Sequence, residues 1–152
     1  MSDIKRPTLA SGISYRDPAA ALKWLEAAFG FESTMVVVND DGSIGHSEMR
    51  LGDGLIMVGR EWDANHRSPA SLGGVNTQSL HVQLETGLDA HCEQARAAGA
   101  VIVREPADQF YGDRNYVAAD PEGHIWSFGQ TLHVMSNEEM AKVGGVKIVE
   151  RL

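Results

Sequence analysis

A chain of 152 residues is the size of one ordinary domain, and 43% hydrophobic with 22% charged residues is material for a packed core that needs no staples. Thirteen Lys and Arg against 21 Asp and Glu leave a formal net charge of -8, which argues against nucleic acid and anionic membrane as partners. The single Cys92 excludes an intramolecular disulfide. With no apolar leader from Met1 to Pro7 and no apolar run of about 18 residues, a cytoplasmic chain that does not span a membrane is expected.

The first predicted element is a strand near Leu9 to Tyr15. Asp17-Pro18 then reads as an N-cap followed by proline at the first helical position, where the missing N–H costs nothing. Leu22, Leu25 and Phe29 form one apolar stripe, and Gly30 stands where a left-handed terminator is wanted. Three strands follow, near Ser33 to Val38, His46 to Leu51 and Leu55 to Val58, broken at Asn39-Asp40-Asp41-Gly42 and Gly52-Asp53-Gly54. Residues 8–59 therefore read as one βαβββ module.

Residues 60–78 form a connector rich in Gly, Ser, Asn and Pro that carries Trp62, and loops of this length are often functional. A second module spans residues 79–130. It opens with a strand over Ser79 to Leu84, then a helix with Thr86 and Asp89 as a capping-box pair, Leu88, Cys92 and Ala95 on one stripe, and Gly99 as terminator. Strands are expected near Val101 to Arg104, Arg114 to Ala119 and His124 to Gly129, with Asp120-Pro121-Glu122-Gly123 as a type I turn. In the tail, 131–152, Ser136 and Glu139 predict a cap for a short helix through Lys142.

The two modules repeat each other. Ala27-Ala28-Phe29-Gly30-Phe31 recurs as Ala97-Ala98-Gly99-Ala100, and Asp53-Gly54-Leu55-Ile56 as Glu122-Gly123-His124-Ile125, with one common offset of 69 residues. The predicted class is α+β: a single domain of two βαβββ modules in tandem, with curled, antiparallel-rich sheets and the helices on their outer face.

Tyr111-Gly112-Asp113-Arg114, followed by Asp120-Pro121-Glu122-Gly123-His124-Ile125-Trp126-Ser127-Phe128, resembles the signature of the PhnB-like glyoxalase and bleomycin-resistance branch of the vicinal-oxygen-chelate superfamily. Arg16-Asp17-Pro18-Ala19-Ala20-Ala21 leading to Phe29-Gly30-Phe31 resembles the same branch. The resemblance implies two sheets that enclose a cup for metal, substrate or drug, commonly in a homodimer. Metal-dependent members place ligands on the first and last strand of each module. That pattern falls near Ala10, Met57 or Val58, Ser79 and Ser127, none of them a competent ligand, so no cofactor is expected.

Strand alternation supplies the candidate cup residues. Leu80, Val82 and Leu84 should face the helix, leaving Ser79, His81 and Gln83 opposite; His46, Glu48 and Arg50 oppose Met49 and Leu51 in the same way, and Ser127 stands between Trp126 and Phe128. His46, Glu48 and His81 read either as a convergent acid/base set, or as a displaced two-His, one-carboxylate metal site, or as polar cover for a solvated sheet face. Arg114, beside Tyr111, either clamps an anionic group in its fork or bonds a carboxylate such as Asp120. Trp62 either lids the cup or packs at an interface. Trp24 and Cys92 read as packing, and His124 as a residue that fixes its turn.

Three functions remain open on this reading. One is metal-independent binding of a small molecule in the cup. Another is a lyase, isomerase or dioxygenase that uses His46, Glu48 and His81. The third is an interaction domain whose cup is vestigial.

Overall fold

The structure, a computed structural model, describes residues 5–152; residues 1–4, part of the segment read as lacking a leader, lie outside it. Strand β1 (Ser11–Tyr15), helix α1 (Pro18–Phe29) and strands β2 (Glu32–Val38), β3 (Ile44–Leu51) and β4 (Gly54–Arg60) form the first module. The second comprises β5 (Ser79–Leu84), α2 (Leu88–Ala97), β6 (Val101–Asp108), β7 (Asp113–Ala119) and β8 (Ile125–Thr131). A last helix, α3 (Asn137–Gly144), closes the chain. The two sheets have matching strand orders, β1-β4-β3-β2 and β5-β8-β7-β6, with one parallel pair in each.

Local chemistry sets most of the element ends. Asp17 accepts the N–H of Ala20 at 3.0 Å, Pro18 opens α1, and Gly30 ends it in the left-handed region at φ 81°. Ser136 and Glu139 form the reciprocal cap of α3. The start of α2 departs from expectation. Thr86 and Asp89 make no capping box, because the chain leaves β5 through a left-handed turn at Gly87, which takes the N-cap position and leaves the pair one residue out of register. The carboxylate of Asp89 bonds Arg114 instead.

Strand β6 runs beyond its predicted end, through Pro106. It is an edge strand whose register slips between Arg104 and Ala107, and an edge bulge tolerates proline where a central strand would not. The connector contains one 3-10 turn, Pro69–Leu72, capped by Ser68.

Both modules share one core. Phe29 and Phe31 from the first module meet Trp126 from the second at ring-centre distances of 5.2 and 5.6 Å, and Phe29 meets Phe128 at 4.7 Å. The last turn of each helix leaves carbonyls without intrahelical partners, and the other helix supplies the donors. Trp24 donates its indole N–H to the Ala98 carbonyl at 2.8 Å, while Gln94 and His91 donate to those of Ala27 and Phe29, each at 2.9 Å. The Phe29 carbonyl can only accept, so His91 Nε2 carries the proton and its Nδ1 accepts from the Tyr116 hydroxyl at 2.6 Å. Burial pulls His91 below its ordinary pKa, and it pushes the fully buried Cys92 thiol up.

The Asp120-Pro121-Glu122-Gly123 turn is a clasp between modules. Asp120, itself buried, accepts from the Tyr15 hydroxyl at 2.6 Å, from Trp126 Nε1 at 3.1 Å, and from the backbone N–H groups of Glu122 and His124 at 3.0 Å. Glu122 accepts the N–H groups of Arg16 and Asp17 and the Ser68 hydroxyl, and His124 donates to the Ser14 carbonyl at 2.8 Å. Among the described residues no helix is long and apolar enough to cross a membrane.

Candidate functional site

The face of each sheet that turns away from its helix carries rows of side chains fixed by strand register. In the second sheet the row His81, Ser127, Val117 crosses β5, β8 and β7, and the next row is Gln83, Gly129, Asn115. In the first sheet the equivalent rows are Gly12, Met57, Glu48 and, one step on, Ser14 beside Gly59. Met57 is therefore the cup residue of its pair, since Val58 points into the core and is fully buried.

The second sheet carries an ordered chain of hydrogen bonds. Gln83 donates its amide N–H to Thr131 at 2.9 Å and, more weakly, to Asp113 at 3.4 Å, so its carbonyl oxygen is the atom that faces His81. His81 Nε2 lies 2.9 Å from that oxygen and must be the protonated nitrogen. Nδ1 then presents a lone pair to Ser127, whose hydroxyl donates to it at 3.1 Å. Gly129 makes the arrangement possible. A methyl group there would stand 3.0 Å from both His81 Cε1 and the Gln83 carbonyl oxygen. A glycine inside a strand is the sequence signal of such close approach, and Gly129 shows that it can be read.

The first sheet is dressed differently. Glu48 takes both arms of the Arg6 guanidinium, at 3.1 and 2.8 Å, and lies 3.5 Å from His46 Nε2. Hydrogen bonds from Arg6 in first place, then from His46, hold Glu48 below its usual pKa against the opposing pull of burial. Arg6 precedes every predicted element, and no local pattern in the sequence ties it to Glu48.

Between the start of β4 and the strand β5 opens a crevice of about 460 Å³. Leu55, Leu80 and Trp126 wall it, and Ser79, His81 and Gln83 supply its polar side. A second crevice of about 330 Å³ lies under the connector, beside His66, Arg67 and His124.

Residues 8–128 match the family model described as Glyoxalase/Bleomycin resistance protein/Dioxygenase superfamily. The chain belongs to that superfamily. TioX from Micromonospora sp. ML1 is 32% identical, with a TM-score of 0.66 over 86% of this chain and 100% of that one. The uncharacterized protein Mb0911c of Mycobacterium bovis is 31% identical over 138 residues, 88% of this chain and 90% of its own length. A glyoxalase/bleomycin resistance protein/dioxygenase family enzyme from Burkholderia phytofirmans PsJN shares the fold at 19% identity and a TM-score of 0.61, with 81% of this chain and 97% of that one covered.

The superfamily's metal corners do not fit a divalent ion here. Ala10 has no donor, Met57 offers only a soft thioether, Ser79 only a neutral hydroxyl, and the Ser127 hydroxyl is spent on His81. No three His, Cys, Asp or Glu side chains among the described residues are grouped to hold a metal. The displaced site is likewise not assembled. His46 and Glu48 meet on the first sheet, whereas His81 on the second bonds Ser127 and Gln83.

The remaining candidates sit outside the crevice walls. Arg114 Nε and Nη2 bond Asp89 at 2.8 and 3.3 Å, and Nη1 bonds Asp108 at 2.9 Å, so both sides of its fork are occupied and Asp120 is not its partner. That leaves Arg114 holding α2 to the β6–β7 hairpin rather than clamping an anion. The Tyr111 hydroxyl accepts from Asn115 at 2.7 Å at the end of the Gln83 row. Trp62 is 67% exposed and stacks at 4.2 Å on His66, a wall residue of the second crevice, but lines neither crevice itself.

Proposed function

We propose that this protein binds a small molecule in the cup without a metal, in the manner of the PhnB-like and bleomycin-resistance branch, as a homodimer. One observation carries the reading. At Ser127, one of the positions where metal-dependent relatives would coordinate an ion, this chain anchors an oriented hydrogen-bonding group, Ser127–His81–Gln83, beside a crevice with apolar walls. The volume of about 460 Å³ lies within the range of small-molecule sites, about 300–1,000 Å³, and convergent polar groups among apolar walls are their usual composition.

Charge favours a cationic or neutral planar ligand. The chain carries a net charge of -8, Asp53 lines the crevice, and Arg114, the residue that argued for an anion, is neutralised by two aspartates. The homodimer is supported by the edges of the sheets. Met35, Val36, Val37 and Val38 on β2 are 40–59% exposed, and a long apolar edge strand left bare invites association. A second copy over these open faces would also close the cup.

The test joins elemental analysis of protein purified without chelator to a thermal-shift screen of planar cationic and neutral aromatic compounds. Metal-free protein, with a Tm that rises with compound concentration and a rise lost in the His81→Ala, Gln83→Ala double variant, is the expected result. Stoichiometric divalent metal, or a flat screen, overturns the reading.

A further inference from the structure

We propose that Ser127 is a nucleophile, activated by His81, and that the cup of the second module carries an acyl-transfer activity toward activated esters. Sequestration of a ligand requires none of this, so the two readings fail separately. The geometry rests on directed bonds. Asp113 and Thr131 fix which way the Gln83 amide points, the amide oxygen fixes the proton on His81 Nε2, and Nδ1 is left as the acceptor of the Ser127 hydroxyl proton. A hydroxyl bonded to an imidazole that a third group orients is the arrangement an activated serine needs, with an amide carbonyl here in the orienting place.

Access is at hand. His81 is exposed and lines the crevice of about 460 Å³, and the half-buried Ser127 lies one hydrogen bond behind it. The steps balance. Ser127 Oγ adds to the ester carbonyl while its proton passes to His81 Nδ1. The bond to the leaving oxygen then breaks, and that oxygen takes the proton. Water next adds to the acyl-serine and gives a proton to Nδ1, and cleavage of the acyl–Oγ bond returns that proton to Ser127. The net reaction is ester and water to acid and alcohol.

The probe is p-nitrophenyl acetate with the full chain, read by released p-nitrophenol and by intact and peptide mass. One acetyl group per chain on Ser127 is expected, with the rate falling by about 100-fold or more in His81→Asn, the scale on which a positioned base acts. Ser127→Ala should lose the adduct. Ser127→Cys, which restores a nucleophile of similar size, should regain it with the same dependence on His81, which separates loss of chemistry from loss of fold. Acetylation mapped to any other residue, or equal release by wild type and Ser127→Ala, overturns the proposal.

Discussion

Replacing Asp120 with alanine strands two buried donors. The Tyr15 hydroxyl and the Trp126 indole N–H both end on one carboxylate oxygen, at 2.6 and 3.1 Å, and neither residue is more than 2% exposed, so bulk solvent reaches neither donor in the folded protein. Burial first, then the Asp120 charge, keeps the Tyr15 hydroxyl protonated far above its ordinary range, consistent with its role as donor. A buried donor left unsatisfied costs about 1–3 kcal/mol, so the pair costs about 2–6 kcal/mol; the two backbone N–H groups on the other oxygen sit in a surface turn and add little. About 4 kcal/mol is a large share of the stability of a domain this size, and corresponds to a Tm lowered by about 8–16 °C. Urea unfolding followed by tryptophan fluorescence measures it, with Tyr15→Phe completing a double-mutant cycle. Because Tyr15→Phe removes one of the stranded donors, the double variant should lose less than the sum of the single changes. An Asp120→Ala protein within about 1 kcal/mol of wild type, or a strictly additive cycle, would refute the clasp as an energetic element.

His91 makes stability depend on pH. Its folded-state pKa lies below the ordinary 6.5, chiefly because burial penalises the charged ring, so the unfolded chain binds the extra proton first as pH falls. Stability should be full above about pH 6.5 and decline below it, while a His91→Gln variant, destabilised throughout, shows a flatter profile in urea titrations at pH values on both sides of 6.5. A wild-type midpoint that rises on acidification through this window would contradict the assignment. Gly129→Ala should leave the fold nearly intact, because the groups it meets at 3.0 Å are the far ends of His81 and Gln83, but it should break their bond. Nitrogen NMR of the His81 ring reads this directly: a single Nε2-protonated tautomer in wild type, a mixture in the variant, and no change if the reasoning is wrong.

How much of this was legible beforehand follows from the range of each interaction. Caps and alternation act within a few residues, so Asp17, Gly30, Ser136 and the faces of β5 could be read directly. The α2 start was misread because Thr86 and Asp89 have the right spacing but Gly87 has the only backbone freedom the turn out of β5 accepts. Partners far apart in sequence left no such trace. Arg6 with Glu48, and Arg114 with Asp89, meet only after the sheets have formed. The pairing of His81 with Ser127 needs the parallel register of β5 on β8, which neither strand states alone. Even the repeat hides a step. Ser14 and Gln83 correspond at an offset of 69, but Gly59 and Gly129 at 70, because the turn before β8 is one residue longer than its counterpart before β4.

That comparison shows how one duplicated design came to hold two different surfaces. Each module keeps a glycine at the same place on its last strand, beside Ser14 in the first and Gln83 in the second. At Gly59 nothing stands within 4 Å of the position a methyl group would take, its row-mate across the sheet is Ser14, and the next row is Gly12, Met57 and Glu48. At Gly129 the same space is filled by the His81 ring and the Gln83 amide. One glycine therefore leaves open space and the other seats an oriented imidazole. His46 on the first sheet faces a carboxylate already paired with Arg6, whereas His81 on the second faces a hydroxyl, so the second sheet is the one whose imidazole has a hydroxyl proton to take.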